Sequence, residues 1–138
     1  MSRIPRSLEF LKNGFTAEAV SAARFRAYAA RAEKDGLPNL AARFRALAAQ
    51  KDELAVRQLE AAGQVRGAVD DVATALMEER YENEVLYAKM ISSSDDSTAA
   101  VLREVMAAQD RHAGELESLR RSLTSSGGDV AQGAGDGR

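Results

Sequence analysis

A chain of 138 residues with a net charge of −2 and no cysteine is long enough for one packed domain and too short for two independent ones. The missing thiols exclude disulfides, thiolate zinc sites and a rubredoxin-type iron centre, and no apolar run has the length of a membrane span or of a signal-peptide core, so a cytoplasmic protein is expected. Ala, Leu, Glu and Arg dominate while aromatic residues make up only 5%, a composition that predicts an all-α fold.

Residues 1–14 form an N-terminal segment with Arg3, Arg6 and Lys12 around Leu8, Phe10 and Leu11, and carry no recognisable chemistry. Thr16 is placed to cap a first helix, with Phe15 as its staple. That helix runs through Val20, Phe25 and Tyr28 to Asp35, and Gly36 stops it. Pro38 opens a second helix. Its stripe, Leu40, Phe44, Leu47, Lys51, Leu54 and Gln58, steps alternately by four and three and marks one face that seeks a core. Lys51 stands in the middle of that face.

The same stepping continues through Ala61, Val65, Ala68, Val72, Ala75, Glu79, Glu82 and Leu86. The stepping leaves two readings open: one long helix over 38–91, with Gly63 and Gly67 permitting a close helix crossing at its middle, or two helices broken at those glycines. After a polar turn at 92–96, Asp96 or Ser97 caps a last helix whose stripe is Thr98, Leu102, Val105, Gln109, His112, Leu116, Leu119 and Leu123. The helical domain is expected over 15–123. Residues 124–138, rich in Gly, Ser and Asp, are expected to be a disordered tail.

Polar residues interrupt every stripe: Glu18 on the first helix, Lys51 on the second, Glu79 and Glu82 on the third, Gln109 and His112 on the fourth. Four antiparallel helices would gather them into one layer. The run from Glu18 to Gly36, with Arg24, Phe25, Tyr28 and the turn Ala32-Glu33-Lys34-Asp35-Gly36, resembles the opening helix and turn of rubrerythrin-type ferritin-like proteins. The resemblance covers about residues 8–123 and implies a ferritin-like four-helix bundle.

In that family a Glu on the first helix and an E-x-x-H on the second hold half of a di-iron site, and the third and fourth helices supply a similar set. The resemblance implies ligand positions at Glu18, Glu79, Glu82 and His112. At the second-helix motif this chain has Lys51, Asp52, Glu53, Leu54, and at the fourth Gln109, Asp110, Arg111, His112. Two irons require more anionic oxygens and imidazoles than remain, so a full di-iron centre is not expected. Either Lys51 substitutes for the metal's charge among the carboxylates, or a single iron or manganese ion is held by Glu18, Glu79, Glu82 and His112. The plainer alternatives are that Lys51 snorkels to solvent and that His112 is a hydrogen-bonded core residue.

Charge is unevenly shared. Residues 1–62 carry eleven basic and seven acidic groups, a net +4, and residues 63–138 carry eight and fourteen, a net −6. No broad basic face exists to neutralise phosphates, so nucleic acid is not an expected partner, whereas opposite halves suit packing against each other. Rubrerythrin-like bundles join helices two and three by a long crossover. A linker at 63–67 spans at most about 18 Å, against about 37 Å for a helix of about 25 residues. The choices are an up-down-up-down chain or a domain-swapped homodimer, and charge and register favour the dimer.

There is no nucleophile elbow and no phosphate loop. The expected function is a non-catalytic binding or structural dimer with a degenerate di-iron site. The alternative is an iron or manganese oxidoreductase reacting with peroxide or oxygen. The termini could also attach the dimer to a larger protein assembly.

Overall fold

The computed structural model describes residues 6–133, which are helical and contain no strand. The chain divides into two units, Met1–Val65 and Arg66–Arg138. The first holds α1 (Ser7–Lys34) and α2 (Pro38–Ala61). In the second, α3 (Ala68–Tyr81) continues through a π-helical turn (Glu82–Tyr87) into α4 (Ala88–Ser92), and α5 (Asp96–Ser126) packs back on α3. Each unit is a helical hairpin. Among the described residues no helix is long and apolar enough to cross a membrane.

The first helix starts earlier than Thr16. Thr16 lies inside α1, where its Oγ1 donates to the Lys12 carbonyl 3.1 Å away, the local back-bond open to a mid-helix threonine. Residues 7–14 therefore belong to the helix rather than to a separate segment; Arg3 lies outside the described residues. At the other end of the chain, residues 124–126 complete α5, residues 127–133 carry no helix or strand, and the rest of the expected tail lies outside the described residues.

Residues 38–91 are not one helix. At the end of α2 the Gly63 N–H donates to the Glu60 carbonyl and the Gln64 N–H to that of Leu59, the paired bonds of a Schellman stop. Gly63 takes φ +71°, a value that costs glycine little and other residues more. The same pair of bonds, Gly36 to Glu33 and Leu37 to Ala32, closes α1. Beyond the break, the Asp71 carboxylate accepts the N–H groups of Arg66 and Gly67 at 2.9 and 3.2 Å, which anchors the start of α3. The continuous stepping in the sequence is thus overridden locally by a helix stop.

The seam of the first hairpin also differs from the predicted stripe. Ala41, Ala48, Ala55 and Ala62 are buried at intervals of seven, facing buried Ala22, Ala29 and Ala32 on α1, while Leu40, Leu47 and Leu54 remain half exposed. Alanine on both sides lets two helices approach closely, which larger residues would prevent. Phe44, Lys51 and Gln58 do lie on the partly buried side. Near the turn, Phe25, Tyr28 and Phe44 form a triangle with ring centroids 5.6–6.2 Å apart, within the range of favourable aromatic contact.

Candidate functional site

The first hairpin brings Glu18 of α1 to Lys51 of α2. Lys51 Nζ donates to Glu18 Oε1 at 2.8 Å, with the side chains 32% and 23% exposed. Both lie at the edge of the alanine seam, deep enough that solvent screens the pair only in part. Lys51 therefore pairs across the hairpin rather than only snorkelling outward. Leu54, the residue at the family's histidine position, is half exposed.

In the second hairpin the polar residues of α3 and α5 also meet in pairs. Gln109 Nε2 donates to Glu82 Oε1 at 2.7 Å, and His112 Nδ1 lies 3.3 Å from Glu79 Oε1. The His112 side chain is 57% exposed, so it is not the core histidine that its stripe position predicts. Glu79 Oε2 and Gln109 Oε1 are buried without a hydrogen-bond partner. A small cavity of about 220 Å³ opens beside Glu79, Glu82 and Gln109.

Sequence reasoning missed Asn83, the buried polar residue of this hairpin. Its Nδ2 donates at 2.8 Å to both the Met106 carbonyl and Asp110 Oδ1, and its Oδ1 is buried without a partner. The π-helical turn begins one residue earlier, and its wider winding shifts the register set by three-and-four stepping. Glu117 was missed too. It accepts from Arg120 at 2.6 Å and from Arg80 at 3.3 Å; the Arg120 guanidinium holds its carboxyl below the usual carboxylate range.

Glu18 accepts a hydrogen bond from the Lys51 ammonium and Glu82 one from the Gln109 amide, and each bond engages a carboxylate oxygen that a metal would compete for. Among the described residues no group of three or more His, Asp or Glu side chains is arranged to hold a metal ion. Glu79 and His112 approach each other to 3.3 Å.

The fold and the paired polar residues define a class: an all-α protein of two hairpins, each with charged or amide groups set in its apolar face. The sequence matches no model of a known protein family, and no curated protein matches it significantly.

Proposed function

We propose that the chain is a ferritin-like, rubrerythrin-like protein with a degenerate di-iron site, acting as a non-catalytic binding or structural homodimer. The observation that carries this reading is the Lys51–Glu18 ion pair. It places a fixed positive charge on the carboxylate that would bind metal in the family the sequence resembles. An ammonium held 2.8 Å from a part-buried carboxylate both neutralises it and repels a cation. Half-exposed Val20 and the three leucines Leu40, Leu47 and Leu54 of one hairpin supply apolar surface for association, since two helices alone bury little.

The test is the metal content of untagged protein, grown with ample iron and manganese and purified without chelators, beside its mass in solution. Metal-free dimer is expected. Near-stoichiometric metal that is lost on His112→Ala or Glu82→Ala would sink the reading in favour of a peroxide- or oxygen-reactive metalloenzyme built on Glu18, Glu79, Glu82 and His112. Lys51→Met leaves Glu18 unpaired, and a stability loss of about 1 kcal/mol is expected once partial exposure is allowed for. An unchanged unfolding midpoint would remove Lys51 from its assigned role. Lys51→Glu, by restoring a carboxylate, is expected to raise metal affinity.

A further inference from the structure

Three cavities adjoin along the second hairpin and make one trough. Met77 and Tyr81 line one end, in a cavity of about 460 Å³, and Leu116 lines the other, in one of about 380 Å³. The middle cavity, of about 220 Å³, shares Glu82 with the first and Glu79 with the last. Its floor includes Gln109. The ends thus add apolar side chains to an acidic trough, lined also by Glu78 at one end and by His112 and Glu115 at the other, and Met77 and Tyr81 are 64% and 61% exposed, more than any other large apolar residue of this hairpin.

The face of α2 has the matching order. Leu40, Leu47 and Leu54 make an apolar ridge about 21 Å long, each 45–49% exposed, with Lys51 between the last two and Arg43 and Arg57 one step to the side. An ammonium has three N–H groups, and Lys51 gives one to Glu18. The trough holds the complementary deficit, because Glu79 Oε2 and Gln109 Oε1 are buried acceptors without donors. Net charge agrees: residues 1–65 carry eleven basic and seven acidic groups, and residues 66–138 eight and fourteen, giving +4 and −6.

We propose that the α2 ridge of one copy seats in the trough of a second copy, with Lys51 set against the acidic centre formed by Glu79 and Glu82, and that the second copy reciprocates. Charge complementarity argues for the occupant: the trough is acidic at its centre, and the ridge of a second copy supplies a cation between apolar side chains. Reciprocal pairing closes the assembly at two chains. This inference rests on the homodimer reading and names its faces.

Lys51→Glu and Glu79→Lys test it, separately and mixed, by native mass spectrometry and light scattering, with circular dichroism to follow helix content. Each variant alone meets like charge in both contacts, and its dimer is expected to weaken at least about thirtyfold. In the equimolar mixture one contact is native and the other is charge-swapped, so heterodimer should form where neither variant self-associates. The same holds if a variant loses helix alone: the mixture should regain it. No heterodimer in the mixture, or a Glu79→Lys dimer as tight as the natural one, overturns the assigned faces while a natural dimer leaves the function reading standing. A monomeric natural chain overturns both. Metal bound by an intact dimer overturns only the function reading.

Discussion

The two hairpins reach the same topology by different means. The first closes on alanine: Ala29 and Ala41 are fully buried, and its polar groups, the Lys51–Glu18 pair, stay part-buried beside them. The second closes around Asn83, buried and bonded to both the backbone and a side chain of α5. Alanine seams depend on fit, so they are sensitive to added volume. Polar seams depend on pairing, so they are sensitive to a lost partner. Substitutions that exchange these sensitivities would break the comparison.

The largest effect is expected at the alanine seam. Ala29→Leu adds three carbons where no space exists, and should cost about 3 kcal/mol by pushing α1 from α2, read as a fall in the denaturant midpoint. A change under about 1 kcal/mol would mean that the hairpin is looser than its burial implies. Next is Asn83→Ala, which removes two hydrogen bonds and leaves the Asp110 carboxylate without its amide donor. A loss of about 2 kcal/mol is expected. If Asn83→Leu proved as stable as the natural chain, the second seam would be apolar in effect and the contrast would disappear.

Helix caps should matter less than either seam. Asp95 caps α5 by accepting the Thr98 N–H at 2.8 Å. That backbone hydrogen bond, with further help from the Thr98 and Ser97 side chains, holds its carboxyl below the ordinary range. A carboxyl lowered on folding stabilises the protein above its unfolded pKa, and the contribution is lost as pH falls through the folded value. Asp95→Ala should therefore lower Tm by a few degrees at neutral pH, with the deficit shrinking in acid. A deficit independent of pH would assign the effect to the cap's shape rather than its charge.

Much of this was legible in the sequence, for physical reasons that also explain the misses. The all-α composition, the Gly36 stop, the Pro38 start and the polar turn before α5 are local signals, and the structure follows them. The Lys51 anomaly was legible as well, because a charge in an apolar stripe needs a partner, and Glu18 is that partner. The alanine seam was hidden because stripe reading weighs large side chains, whereas close packing selects small ones: the register of α2 lies one residue from the leucines. The π-helical turn was hidden because its extra winding leaves no mark in a three-and-four pattern, so the stepping points Leu86 inward, whereas Leu86 is half exposed and Asn83 takes the buried position. Gly63 gave a correct local signal that the longer periodicity obscured.

The smallest prediction compares the hairpins at one substitution. Each has a glycine inside a long helix, Gly14 in α1 and Gly114 in α5. Alanine at such a site ordinarily gains about 1 kcal/mol, from the lower backbone entropy of the unfolded chain and better helix propensity. A Cβ on Gly114 meets nothing within 4 Å, whereas one on Gly14 would fall 1.7 Å from Gln58 Oε1. The Gln58 amide, bonded at 3.3 Å to the Leu54 carbonyl, would have to swing away. Gly114→Ala should therefore stabilise by about 0.5–1 kcal/mol, and Gly14→Ala should gain little or nothing. Equal gains at both sites, measured by thermal unfolding, would mean that Gln58 yields its place freely and that its packing over Gly14 adds nothing to the seam.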